Sequence, residues 1–112
     1  MNPAGADHLT FTGQPSDLVV GNLITPPVVV SVWDAFGNLA TGFGGNVKIA
    51  IGKDPSLFGA RLGGTSPIMA ISGVATFDDL TIDQIGVGFT LVATSDGLTP
   101  ATSDPFTVIA LP

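Results

Sequence analysis

The stretch Val28-Val29-Val30-Ser31-Val32-Trp33-Asp34-Ala35-Phe36-Gly37-Asn38 decides the fold. Its first half is rich in β-branched residues, and successive side chains of a strand point to opposite faces. The alternation predicts an inward set and an outward set (Val28, Val30, Val32; Val29, Ser31, Trp33). Asp34 to Asn38 then predict a turn, because Asp accepts hydrogen bonds from the backbone ahead of it, and Gly and Asn tolerate positive φ.

Short segments of the same kind lie on both sides of this stretch. They cover residues 9–11, 18–20, 47–51, 68–71, 74–77, 86–94 and 106–108. Fifteen Gly and nine Pro separate them and leave no room for long helices. About seven short strands divided by turns predict an all-β sandwich, and a closed barrel is the structural alternative.

The inward positions predict one hydrophobic core. Its expected members are Leu9, Phe11, Val28, Val30, Val32, Val47, Ile49, Ile51, Ala75, Phe77, Leu80, Phe89, Leu91, Phe106 and Val108. Leu57, Phe58 and Leu62, from the long connection 52–67, are expected to close one end of it. We interpret residues 1–112 as a single domain, with its core at about 7–109 and linker stubs at both ends.

Charge and composition exclude several classes of function. The net charge is −6 with three cations, Lys48, Lys53 and Arg61, too few for a phosphate-binding or anionic-membrane surface. The longest apolar run, around residues 26–30, is far shorter than the ~20 residues of a membrane span. The chain has no cysteine, so disulfides are absent. Residues 1–7 lack the pattern of a signal peptide, so we expect any export signal to lie outside this sequence.

The quoted stretch resembles bacterial immunoglobulin-like repeat domains of invasin- and intimin-type adhesins. The resemblance continues through Gly42, Val47, the segment Gly73-Val74-Ala75-Thr76-Phe77 and residues 86–93. In that family a Pro usually follows Gly-Asn, where this chain has Leu39-Ala40. The resemblance implies an immunoglobulin-like Greek-key sandwich, tandem repetition and display outside the cell or at its surface. It also implies a spacing or adhesive role beside adjacent modules of the same chain, with no catalytic residues to carry over.

Few residues offer chemistry. His8 is the single histidine and lies near the chain start, which disfavours a catalytic triad or a zinc site. Calcium favours Asp and Asn oxygens, so Asp34 with Asn38, or Asp78 with Asp79 and Asp83, are its candidate ligands; backbone capping is the alternative for both groups. Lys48 is the candidate for an intramolecular isopeptide bond, but the alternation points it outward. We expect no cofactor and no enzymatic activity.

Trp33 is the candidate binding residue, because its parity places it on the outer face of the sheet. An exposed aromatic ring there can stack on a sugar or anchor a partner protein. The alternative is that a neighbouring strand, loop or module covers it. We therefore expect a structural spacer of a larger surface or secreted protein, monomeric as an isolated domain. A module that binds a glycan or a host protein through Trp33 is the second hypothesis.

Overall fold

A computed structural model describes residues 5–56 and 59–110, and this part of the chain is all-β, with the architecture of a β-sandwich. The strands are β1 (Ala6–Gly13), β2 (Leu18–Val19), β3 (Val28–Asp34), β4 (Asn46–Ile51), β5 (Leu62–Gly63), β6 (Ile68–Met69), β7 (Val74–Phe77), β8 (Thr81–Ile82), β9 (Gly86–Phe89), β10 (Leu91–Thr94), β11 (Ala101–Thr102) and β12 (Phe106–Ile109). Leu57 and Phe58, which we expected to close the core, lie outside the described residues.

The strand segments outnumber the seven expected strands because local irregularities divide several of them. The expected strand 86–94 is split at Thr90 into β9 and β10. A proline, Pro15, stands between β1 and β2, where its ring removes a backbone donor. Strands of only two residues, such as the paired β5 and β8, account for the remaining segments.

Two groups of strands face each other across the core. In one, β3 lies between β1 and β7, antiparallel to both, and β5 pairs with β8. In the other, β10 pairs with β4 and β11, and β4 pairs with β6. There β12 also pairs with β9 and runs parallel to β2. The chain therefore changes partners between β1 and β2, from β3 to β12.

The core matches the predicted inward set closely. Fourteen of its fifteen members are buried, and Ile51 is partly buried against the others. Phe89 and Phe106 stack within it, with ring centroids 6.0 Å apart. The buried set also contains Leu18, Ile24, Ala40, Ala70, Ile82 and Ala93. Leu62 packs against this core, as expected of the connection that contains it.

Ser31 lies on the outward face of β3, as expected, but only 5% of its surface is exposed. β3 is a central strand, so β1 and β7 flank Ser31 on both sides. Its side chain is small, and its hydroxyl lies 2.8 Å from that of Thr12 on β1. Parity alone assigns the correct face here but not the degree of burial.

The molecule is elongated, with principal extents of 57 × 19 × 18 Å. One end, called here the Asp34 end, contains Ala6 opposite Asp34 and the turn that follows Asp34. The segment that precedes Val28 leads away from this end. In it, the N–H of Ile24 donates to the carbonyl of Leu80, and the N–H of Gly21 donates to the carbonyl of Ile82. At ~3.3 Å per residue, β3 alone covers about 20 Å of the path from Asp34 to Gly21.

The other end, called here the Ile109 end, contains the last strand of the sandwich. The N–H of Val20, next to Gly21, donates to the carbonyl of Ile109 at 2.8 Å. Ile109 also lies opposite Val19 in the parallel pair of β12 and β2. The polypeptide therefore enters the sandwich at one end of its long axis and leaves it at the other.

Candidate interaction surfaces

Trp33 lies on the outer face of the β1–β3–β7 sheet. Leu9 and Val32 pair with both side chains buried, whereas the neighbouring pair, His8 and Trp33, is turned to the opposite face. The indole is half-buried, and its Nε1 donates a hydrogen bond of 2.7 Å to the Thr10 hydroxyl. The bond fixes the indole across the neighbouring strand, with part of the ring open to solvent.

Hydroxyl side chains lie on the same face of the sheet as this indole. Beyond Thr10, the hydroxyls of Thr12 and Ser31 share one hydrogen bond of 2.8 Å, which uses the O–H of one of them. This surface therefore offers a fixed aromatic ring, and its neighbouring hydroxyl groups are partly engaged within the sheet. A ligand here would gain contact area by stacking more than by hydrogen bonding. The binding role of Trp33 stays a prediction.

Asp34 caps the turn that was predicted from the sequence. Its carboxylate accepts the backbone N–H groups of Phe36 at 2.8 Å and Asn38 at 2.9 Å. The hydrogen bond from Asn38 is the main reason that the pKa of Asp34 is lowered. The carboxylate holds its own turn, which leaves Phe36 at the tip with 79% of its surface exposed.

Two further aspartates cap loops in the same way. Asp54 accepts the hydroxyl and N–H of Ser56 and the N–H of Ala60, and the Ser56 hydroxyl contributes most to lowering its pKa. Asp79 accepts the hydroxyl of Thr65 at 2.6 Å and its N–H, and the same hydroxyl lowers the pKa of Asp79 most. Asp34, Asp54 and Asp79 are called the capping carboxylates below.

Two of the calcium candidates, Asp79 and Asp83, contact different segments of the chain. Asp79 faces Thr65, whereas Asp83 accepts the N–H of Arg61 at 2.7 Å. Within residues 5–56 and 59–110, no three His, Cys, Asp or Glu side chains converge in a way that could hold a metal ion. Of the candidate calcium ligands, Asp34, Asp79 and Asp83 accept backbone N–H groups in this structure.

The remaining candidates lie apart from each other. The Nδ1 of His8 is 2.9 Å from the carboxylate of Asp7, its chain neighbour. Lys48 is exposed on β4 opposite Thr94, on the outward side that the alternation predicted. This position keeps the amine of Lys48 out of the core, where an isopeptide bond would have to form.

The structure has an apolar groove at the Ile109 end that the sequence did not predict. It has a volume of about 590 Å³ and is lined by Pro55, Gln84, Ile85, Val87, Thr107 and Ile109, among others. The side chain of Val87 is the most open of the large apolar ones here, at 77% exposed.

Simple alternation would have placed Val87 on the same side as Phe89, in the core. Gly88 has φ +96°, and the register of β9 against β12 shifts between Thr107–Val87 and Phe106–Phe89. This bulge inserts one residue and turns Val87 outward while Phe89 stays buried. The signal that could have revealed it is the Gly-Val-Gly spacing, because an isolated glycine within a strand marks a bulge.

All seven large hydrophobic residues that are strongly exposed in the described chain lie towards the two ends. Phe36, Met69 and Ile71 lie towards the Asp34 end, and Leu23, Ile85, Val87 and Ile109 towards the other. The sides of the long body carry none of this set.

The chain matches no protein-family model, and no curated protein matches it either. In the part of the chain that the structure describes, no helix has the length and apolar character needed to cross a membrane.

Proposed function

We propose that this chain is a non-catalytic, immunoglobulin-like structural module that spaces or presents other domains in a larger bacterial surface or secreted protein. The observation that carries the proposal is the placement of the first and last strands: Ala6 of β1 and Ile109 of β12 lie at opposite ends of a body 57 Å long. A domain with this arrangement adds its full length to a string of modules. The pairing of β1 with β3 and of β2 with β12 supports an immunoglobulin-like connectivity.

The distribution of apolar surface supports the same role. A spacer must be polar along its sides, because these stay in solvent, whereas its ends meet neighbouring modules. The strongly exposed large hydrophobic residues follow this division. Adjacent modules of the same chain are therefore the partners that we propose, and extracellular display is the setting in which such strings operate.

The test is the length of two copies joined in tandem. Small-angle X-ray scattering of one copy and of the tandem gives their maximum dimensions. We expect the tandem to approach twice the 57 Å length of one copy, because the second copy starts where the first ends. A tandem scarcely longer than one copy would contradict the spacer, because the modules would then fold back on each other.

Binding through Trp33 is the second candidate function, and the half-exposed indole fixed by Thr10 is the observation that favours it. A glycan and protein screen tests it with Trp33→Ala beside the unchanged chain, and with Val87→Ala as a matched loss of apolar surface elsewhere. Loss of a signal in Trp33→Ala alone would support binding at this face. No signal with any of the three proteins would contradict this second function.

A further inference from the structure

We propose that the peptide bond between Asp104 and Pro105 is a site of self-cleavage, at which the Asp104 carboxylate cuts its own chain. This inference goes beyond the spacer function and does not depend on it. The chain contains two Asp-Pro bonds, Asp54–Pro55 and Asp104–Pro105. The structure distinguishes them, because it holds one carboxylate in a set of hydrogen bonds and polarises the carbonyl beside the other.

An Asp-Pro bond is open to a reaction that other peptide bonds resist. Proline has no N–H, so the aspartate side chain cannot close a succinimide on this nitrogen. Instead, a carboxylate oxygen of the aspartate attacks the carbonyl carbon of the same residue. A C–O bond forms, the C–N bond to proline breaks, and the nitrogen leaves with the electron pair and takes a proton from acidic solvent. One water molecule then opens the cyclic anhydride, so the net reaction is hydrolysis.

The carbonyl of Asp104 has a fixed hydrogen-bond donor. The hydroxyl of Ser103, a residue only 5% exposed, donates to this carbonyl oxygen at 3.0 Å. The same hydroxyl oxygen accepts the N–H of Leu91 at 2.9 Å, so its own hydrogen stays directed at Asp104. Negative charge develops on the carbonyl oxygen during the attack, and a donor already in place there stabilises it.

Backbone contacts also hold the segment around the bond in place. The N–H of Asp104 donates to Oε1 of Gln14 at 2.8 Å, and the N–H of Thr107 donates to Asp17 at 2.7 Å. Asp17 is the other titratable group in these contacts, and this hydrogen bond engages its carboxylate. The side chain of Asp104 is exposed, and its carboxylate accepts no hydrogen bond from the residues that the structure describes. It can therefore turn towards its own carbonyl without breaking a contact with them.

At the other Asp-Pro bond, both carboxylate oxygens are engaged. Oδ1 of Asp54 accepts the N–H and the hydroxyl of Ser56, and Oδ2 accepts the N–H of Ala60 at 2.9 Å. These contacts must break before the carboxylate can attack. Within the described ranges, no side chain donates to the Asp54 carbonyl as Ser103 does to that of Asp104. Asp54–Pro55 thus serves as an internal control with the same two residue types.

Cleavage after Asp104 separates β12 from the rest of the chain. Phe106 and Val108 of β12 are buried, and the strand pairs with β9 and β2. The cut strand would therefore stay in the sandwich by packing and backbone hydrogen bonds alone. The product is a nicked module whose last strand is no longer joined to the others through the polypeptide.

The test compares the two bonds in one molecule. The protein is kept warm at about pH 5, where the unfolding free energy should still be level, and circular dichroism checks that it stays folded. Mass spectrometry follows the fragments that begin at Pro55 and at Pro105. We expect Asp104–Pro105 to break about ten-fold faster than Asp54–Pro55 in the folded protein. In concentrated urea, where the contacts are lost, the two rates should agree within about two-fold.

Variants assign the groups involved. Asp104→Glu keeps the charge but would have to close a larger ring, so it should abolish the cut at this bond. Ser103→Ala should slow the cut about ten-fold in the folded protein and leave the rate in urea unchanged, a smaller effect than in enzymes because Asp104 is exposed. Ser56→Ala releases one oxygen of Asp54 and should speed the cut at Asp54–Pro55. This surface-loop variant tests the same argument if Ser103→Ala does not fold.

Four results would overturn the proposal. They are equal rates at the two bonds in the folded protein, a rate ratio that is the same in urea, a cut before Pro105 that persists in Asp104→Glu, and an unchanged rate in folded Ser103→Ala. The third would reveal a contaminating protease. The tandem scattering test uses intact protein at neutral pH, so the spacer function and the self-cleavage fail separately.

Discussion

Two phenylalanines provide a matched test of how the core is built. Phe77 on β7 has no exposed surface, whereas Phe36 is 79% exposed at the tip of its turn. Phe77→Ala and Phe36→Ala make the same chemical change, so burial is the main difference between them. Phe77→Ala should therefore lower the free energy of unfolding strongly, and Phe36→Ala should leave it almost unchanged.

The expected magnitudes follow from the two environments. Truncating a fully buried Phe costs about 3–5 kcal/mol, since it forfeits the apolar transfer energy and leaves a cavity. A surface change away from special features costs within about 0.5 kcal/mol. Because domains of this size are stable by roughly 5–15 kcal/mol, Phe77→Ala should consume a large share of the total.

Urea unfolding followed by the fluorescence of Trp33, the single tryptophan, measures both variants. With a slope of about 2 kcal/mol/M, the midpoint of Phe77→Ala should fall by about 2 M, and that of Phe36→Ala should barely move. The assay is run on dilute protein, so that contacts between copies do not contribute. Equal losses in the two variants, or a loss below about 1 kcal/mol for Phe77→Ala, would refute the assignment of faces.

Three further predictions follow from individual contacts. Thr10→Val removes the acceptor of the Trp33 Nε1–H and should lower the unfolding free energy by about 0.5–1.5 kcal/mol, with a red shift of emission; unchanged emission would contradict it. Gly73→Ala should destabilise more than Gly97→Ala in urea unfolding, because both have positive φ but only the first directs a Cβ to 2.6 Å from the Ala40 carbonyl oxygen. The unfolding free energy should be level above about pH 5 and should fall as the pH drops through 4 towards the lowered pKa values of the capping carboxylates. The reason is that the carboxylates of the unfolded chain bind protons at a higher pH than those of the folded chain. Urea titrations from pH 2 to 7 measure this profile, and a rise in the unfolding free energy on acidification would contradict it.

Alternation predicted the core well wherever a strand is regular. Val28, Val30 and Val32 are buried as expected, because a strand with one face on a core repeats every second residue. Ile24 and Ala40 were missed, since they lie outside every predicted strand and no period points to them. Their burial depends on where distant segments meet, which a local pattern does not contain.

The turn after β3 was predictable down to its side chain. Asp34 was expected to act on the backbone of its own turn, and its carboxylate does accept two N–H groups there. This interaction is local, so the five residues 34–38 contain all the groups involved. Asp54 and Asp79 cap loops by the same chemistry, but Asp79 acts on Thr65, fourteen residues away. A pairing of that range depends on the fold and was invisible in the sequence.

The groove at the Ile109 end shows why an interaction surface is harder to predict than a core. A single inserted residue at Gly88 decides whether Val87 is buried or open to a partner. A regular strand would have hidden Val87 beside Phe89 and left this end without its most exposed apolar side chain. Bulges turn side chains in this way at sheet edges, where contacts with other molecules form. The exposed apolar surface at this end is thus a product of local backbone irregularity.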